Sequence, residues 1–172
     1  SVITDSISVT PGGNSLNTAV ALHLMGDQVS VAGSIGDDDI GILLLQHLEG
    51  LGLDVKGVAS EEGGSTAATI ILRAEGEDRR YIMNLGVGET FTGERLSLEL
   101  IPQNGVVLAG GFLKLSAWND RLLMDFLKEA RRRNNTTVLN VCLVRNSDVD
   151  PARVLPILEH VDIFLPNEDE AS

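Results

Sequence analysis

Residues 14–25, NSLNTAVALHLM, are apolar at almost every helical position, with Leu16, Ala19, Val20, Leu22, Leu24 and Met25 leaving no polar stripe. Such a pattern predicts a helix buried on all sides. Gly12-Gly13 precedes it as a tight turn, and Ser15 or Asn14 supplies an N-cap. Before it, residues 1–10 (SVITDSISVT) alternate β-branched and polar side chains, which predicts an exposed strand. After it, Val29 to Gly33 reads as a short strand. Ile40, Leu44, Leu48 and Leu51 then recur at spacings of four, four and three, which predicts a second helix. Residues 66–84 read as two strands around the tip Ala74–Asp78, with Gly76 in the turn. The tip carries Glu75, Glu77, Asp78, Arg79 and Arg80, a solvated charge run.

Further along, Val106 to Ala109 predicts a strand ending at Gly110-Gly111. Asn119 caps a helix whose Leu122, Leu123, Phe126, Leu127 and Ala130 share one face and whose last turn holds Arg131 to Arg133. Thr137 to Val141 predicts a strand, Pro151 to Glu159 a short helix, and Asp162 to Leu165 a last strand running into PNEDEAS. Strands near 29–33, 106–109, 137–141 and 162–165 alternate with helices. That order is βαβ, so the expected fold is α/β, a mostly parallel sheet with helices on both faces. The 66–84 hairpin, joined by residues 1–12, is expected to form a small outlying β-sheet. Ligands in such folds bind outside the carboxyl ends of the strands, where Gly110-Gly111 and Asn167 fall.

Composition narrows the classes. The 172 residues suit one domain or part of a larger one. Aromatics make up only 3%, so Leu, Val, Ile and Ala must build the core. A net charge of −12, from 13 basic and 25 acidic residues, argues against a nucleic-acid or anionic-membrane surface. No apolar run approaches the roughly 20 residues that span a bilayer, and no signal peptide opens the chain. Cys142 is the single cysteine, which excludes a disulfide framework and fits a reducing, cytoplasmic compartment. His23, His47 and His160 have no metal-ligand spacing. Asp37, Asp38 and Asp39 lack the alternation and closing Glu of a calcium loop, and read as acids at a helix start.

Two places carry candidate chemistry. On helical spacing Asn17 lies over Val20, Ala21 and Leu24, so its amide points inward from the first turn. A buried amide needs partners. It can bond a loop backbone, or join Gly12, Gly13 and the helix start in a pocket for a hydroxylated ligand. Asn167 with Glu170 three residues later is a capping box. The same pair can orient hydrated Mg²⁺ and the phosphates it carries.

Gly12, Gly13, Asn17, Ala19, Gly26 and Gly36 resemble the first signature of the ribokinase-like (PfkB-type) carbohydrate kinases. Ser15 departs from it, where that family usually has Gly, Ala or Pro. Gly33, Gly36, Asp37, Asp38 and Gly41 resemble its Gly-x-x-Gly-Asp-Asp segment, and Leu51 to Val55 the run that follows. Pro166, Asn167 and Glu170 resemble its Asn-x-x-Glu motif. The resemblance implies a ribokinase-like three-layer fold with a β lid, ATP and Mg²⁺ as cofactors, and transfer of the γ-phosphoryl of ATP to a sugar hydroxyl. It implies Gly12, Gly13 and Asn17 as substrate-binding residues, Asn167 as cofactor-binding and Glu170 as metal-binding.

It also implies a small-molecule partner, a sugar or related polyol or nucleoside; the expected outlying β lid is a surface through which a homodimer is possible. The family's first strand with its substrate-binding Asp, and its Gly-Ala-Gly-Asp segment with the catalytic base, have no counterpart in these residues. No catalytic residue is therefore assigned within residues 1–172, and the base is expected beyond Ser172. The chain is expected to be the substrate-side portion of a sugar kinase, a single partial domain truncated at both ends and inactive alone. The alternative is a sugar-binding or regulatory protein that has lost the chemistry. A dinucleotide-binding protein is weaker, since no Gly-x-Gly-x-x-Gly follows a strand.

Overall fold

A computed structural model of the chain describes residues 6–73, 76, 80–143 and 148–171. Along the chain run α1 (Asn14–Leu24), β1 (Ser30–Gly36), α2 (Asp39–Gly50), β2 (Asp54–Glu61), β3 (Ala68–Leu72), β4 (Arg80–Asn84), β5 (Val106–Phe112), α3 (Asp120–Arg132), β6 (Thr136–Val141), α4 (Leu155–Leu158) and β7 (Ile163–Leu165). Among the described residues, β1 pairs β2 in parallel, and β5, β6 and β7 form a parallel sheet in that order. The expected parallel architecture with helices packed on the strands is present. The parallel strands lie in two sheets rather than one, and α1 touches both, packing on β5 and β1.

The main core lies between the three-stranded sheet and α3 with α4. Phe112, Leu123, Leu127, Leu139 and Ile157 are all fully buried there. α3 forms for local reasons. Asn119 Oδ1 accepts from the N–H groups of Arg121 and Leu122, and Leu123, Leu127 and Ala130 recur along the inward face. β6 buries Thr137, Val138, Leu139 and Val141, as expected for an inner strand of a parallel sheet. Thr137 is tolerated there because its hydroxyl donates to the His160 carbonyl at 2.8 Å, and its N–H donates to Asp162 at 2.9 Å.

Several sequence expectations need correction. Residues 6–10 are irregular rather than a strand, and residues 1–5 lie outside the described part, as does Ser172 at the other end. α1 is not buried on all sides. Leu16, Ala19, Val20 and His23 form its inner face, while Leu24 and Met25 are 70% and 80% exposed. An all-round apolar helix is buried only if elements cover it on every side, and among the described residues the two sheets meet just one face. Asn17 is consequently exposed and not directed inward. Neither Ser15 nor Asn14 caps α1; Gly13 holds that position at φ 107°, ψ 147°, with no side-chain cap. Strand β2 had no clear periodicity and was not expected. Ile40 is also exposed, and Gly41, Leu44, Leu45 and Leu48 make the inner side of α2.

The 66–84 hairpin is present as β3 and β4, paired antiparallel from Ala68↔Asn84 to Leu72↔Arg80. Its tip residues 74, 75 and 77–79 lie outside the described part. Ile70, Ile71, Leu72, Tyr81 and Ile82 are each more than half exposed, so both faces of this ribbon are apolar and open.

Asp38 shows why acids open α2. Its Oδ1 accepts from Gly41 N–H at 2.9 Å and from the Thr66 hydroxyl, and its Oδ2 accepts from Thr66 N–H at 2.9 Å. The Thr66 hydroxyl oxygen in turn accepts from Gly36 N–H at 3.0 Å. The Thr66 hydroxyl, then the Thr66 and Gly41 amides, hold the Asp38 carboxyl below its ordinary value of 3.8. A carboxyl with a depressed folded pKa adds stability above its unfolded pKa and loses it as pH falls through the folded one. Glu129, held at about 2 by Arg132 and Arg133, acts in the same direction. Melting temperature should therefore fall once pH drops below that ordinary Asp38 value of 3.8. Asp38→Asn should melt lower at neutral pH and descend less steeply in acid. Parallel curves for the two proteins would remove Asp38 from the acid response.

Candidate functional site

At the carboxyl ends of β6 and β7 the chain forms an open cleft of about 770 Å³. Its floor is residues 140–143 at the end of β6 and Leu165 to Asn167 at the end of β7. Asn14 from the start of α1, Glu170, and Tyr81 and Met83 of β4 complete its lining. This is where a parallel sheet leaves its backbone ends free and its neighbouring loops diverge.

One side chain ties the parts together. Asn140 Oδ1 accepts from Asn14 Nδ2 at 2.9 Å, and Asn140 Nδ2 donates to the Leu165 carbonyl at 3.1 Å. The start of α1 and the ends of β6 and β7 are thus joined through a single amide. α1 can come this close because β5 offers Gly110 beneath it; a Cβ there would fall on Ser15 Oγ. Chain direction into the helix depends on Gly13, whose φ of 107° lies where side-chain-bearing residues are strained.

Pro166 ends β7, and the following turn closes on itself. Asn167 N–H donates to Glu170 Oε2 at 2.8 Å, and Glu170 N–H donates to Asn167 Oδ1 at 2.9 Å. This reciprocal pair is a capping box at a turn over 168–170. Glu170 does more than cap. Its Oε1 accepts from Leu143 N–H at 2.9 Å, bracing the residues beyond β6 against those beyond β7. A smaller recess of about 290 Å³ opens between Leu143, Asn167, Asp169 and Glu170.

Of the residues singled out in the sequence, Asn167 and Glu170 line the cleft. Gly12 and Gly13 are exposed and adjoin it through Asn14, without lining it themselves, and Asn17 sits a turn further along α1, outside the lining. The catalytic base expected beyond Ser172 has no position here, because the described residues stop at Ala171 and Ser172 itself lies outside them. Sequence reasoning missed Asn14, Asn140, Cys142, Tyr81 and Met83. Asn140 had a usable signal, a polar residue closing the buried run Thr137 to Leu139 at a strand end. The other four had none, because what they share is a cleft formed by distant segments. Burial pushes the Cys142 thiol up, the Lys114 ammonium pulls it down, and Glu170 pushes it up again. Among the described residues no cluster of three or more His, Cys, Asp or Glu could hold a metal ion.

Comparison with known proteins agrees with the family suggested by the motifs. The family described as pfkB family carbohydrate kinase matches residues 1–172. Fructokinase-1 of Zea mays is 35% identical over 98 residues, covering 56% of this chain and 30% of that protein. ATP-dependent ribose-1-phosphate kinase of Halopiger xanaduensis is 35% identical over 85 residues, covering 49% of this chain and 29% of that protein. Among solved structures, ribokinase from Giardia lamblia superposes with a TM-score of 0.75 at 21% identity, over 99% of this chain and 52% of that one. A PfkB protein from Polaromonas sp. JS666 superposes with a TM-score of 0.77 at 18% identity, over 91% of this chain and 55% of that one. The chain thus spans about half the length of these structures, and the aligned stretches under a third of the curated relatives.

Proposed function

Since the chain belongs to the pfkB family of carbohydrate kinases, we propose that it is the substrate-side portion of an ATP-dependent sugar kinase. The observation that carries this reading is the cleft of about 770 Å³, lined by both the start of the helix following Gly12-Gly13 and the Asn167–Glu170 turn, with Asn140 joining that helix start to the end of β7. In this reading Gly12, Gly13 and Asn17 belong to the sugar side and Asn167 to the nucleotide side. The sugar is held between the start of α1 and the lid, one hydroxyl directed toward the bound phosphates, and the base that deprotonates it comes from residues beyond Ser172. Relatives named for fructose and for ribose 1-phosphate leave the charge of the substrate open.

Glu170 fits a hydrated Mg²⁺ better than a caged one. Its two oxygens already accept backbone N–H bonds, yet a carboxylate keeps lone pairs for metal-bound water. Mg²⁺-ATP, when bound, supplies the phosphoryl group and neutralises charge on it; the chain's part is to position the hydroxyl and shield it from solvent. The open apolar faces of β3 and β4 support pairing of two copies through this ribbon. No helix among the described residues is long and apolar enough to cross a membrane, and a cytoplasmic location belongs to the same proposal.

A second reading, a sugar-binding or regulatory protein without chemistry, is favoured by one feature. Among the described residues that line the cleft, Glu170 is the only carboxylate, and it is engaged by two amides. A catalytic base must reach the hydroxyl it deprotonates, and none of the lining residues is free to do so. The 172-residue chain should therefore show no sugar-dependent ADP release across a panel of sugars. A longer protein carrying the same residues should form sugar phosphate. Turnover by the short chain would show that the base lies within it. Sugar binding without product in the longer protein would establish the second reading.

A further inference from the structure

The end of β5 is built unusually. Gly111 is inserted between Gly110, paired with Asn140, and Phe112, paired with Val141, so the strand bulges. Two residues on, buried Leu113 adopts φ 75°, a conformation rare and strained for a bulky side chain. Residues 111–115 then close into one turn, Leu115 N–H donating to the Gly111 carbonyl at 3.1 Å. This turn carries Lys114, which adjoins the cleft through Met83 of its lining without lining it itself.

Lys114 is half-buried, and its ammonium lies 3.8 Å from the sulfur of Met83 on β4. Its charge also acts on the Cys142 thiol of the cleft floor. A thioether is a weak partner for an ammonium. Among the described residues no carboxylate pairs with Lys114, although acidic residues outnumber basic ones by 25 to 13, and most described Lys and Arg side chains have such a partner. The cleft therefore has a carboxylate, Glu170, in its lining, and beside Met83 a cation with no carboxylate partner among the described residues.

We infer that Lys114 is a specificity-determining residue that receives an oxyanion of the substrate, so that the ligand is a negatively charged sugar, an acid or a phosphate ester, and not a neutral one. The inference rests on the sugar-kinase reading of the cleft. An anion at Lys114 gains a charge-assisted hydrogen bond and stays apart from Glu170.

Cys142 is the chain's single cysteine and lines the cleft, so its alkylation by iodoacetamide reports occupancy. D-gluconate and D-fructose 6-phosphate probe the two sources of the oxyanion, and D-fructose is the neutral control. Protection is read as the ratio of rates with and without sugar, because Lys114 itself favours the thiolate. At least one anionic sugar should protect at concentrations roughly tenfold or more below fructose, and added salt should erode the difference. Lys114→Gln should reduce the anion to the level of fructose, and Lys114→Arg should keep the preference.

Protection by gluconate alone identifies a carboxylate, and protection by fructose 6-phosphate alone a phosphate ester. Equal protection by all three sugars overturns the inference and leaves the sugar site standing. So does an anion preference that survives Lys114→Gln. If none of the three protects, both the sugar-site reading and the inference fall. Should Lys114→Gln not fold, the salt dependence of the parent and of Lys114→Arg decides, since a preference insensitive to salt also overturns the inference.

Discussion

Phe112→Ala is expected to lower the stability of the chain by about 3–5 kcal/mol, the range for emptying a fully buried aromatic site. Phe112 has no exposed surface. Its ring meets Trp118 edge-on at 6.1 Å and lies 5.2 Å beneath the Arg153 guanidinium. Arg153 is itself fixed by Asp120 and by the carbonyls of Ser116 and Trp118, so the wall around a missing ring cannot readily collapse inward. The effect should reach the cleft as well. Phe112 stands between the bulge at Gly111 and the strained Leu113, and its carbonyl accepts from Cys142 N–H at 2.9 Å. Urea unfolding should show the loss, and alkylation of Cys142 should quicken under native conditions. A loss below about 1 kcal/mol would mean that the end of β5 repacks around the deletion.

Glu170→Gln should have the largest effect on the site. The substitution keeps one carbonyl oxygen and replaces the other with an amide donor, which then faces the N–H of either Leu143 or Asn167. Removing a charged acceptor from a backbone donor costs roughly 1–3 kcal/mol. The local consequence is a loosened brace between the segments beyond β6 and β7, and amide exchange at Leu143 should accelerate by about ten- to a hundredfold. In a longer, active protein the same change should lower kcat and raise the Mg²⁺ requirement, with the sugar KM nearly constant. A Mg²⁺ titration superimposable on the parent's, together with faster exchange at Leu143, would make Glu170 a brace and cap alone.

Legibility from sequence followed how local the causes were. α3 could be read in full because everything it needs lies in its own 13 residues and the one before them: the cap at Asn119, apolar side chains on one face, and arginines at the end. The hairpin was legible from two β-rich runs about Gly76. The Asn167–Glu170 box was legible because both partners sit in one turn. Asp38 was read correctly as an acid at a helix start, though its second role, holding Thr66, joins segments 28 residues apart and left no trace in local pattern.

The apolar run of residues 14–25 determined that a helix forms, and the motifs around it determined the family. Neither determined what the helix touches, because burial depends on the elements available to cover a face. The start of α1 meets the site through Asn14, whose amide finds Asn140 across 126 residues, while Asn17 faces solvent. Likewise the run from Val106 specified a strand, but only the paired sheet shows the extra residue at Gly111, since a bulge is defined by its partner strand. The turn that carries Lys114 follows directly on that bulge and on Leu113. Sequence set the local conformations and the family; the pairing of distant strands set the cleft.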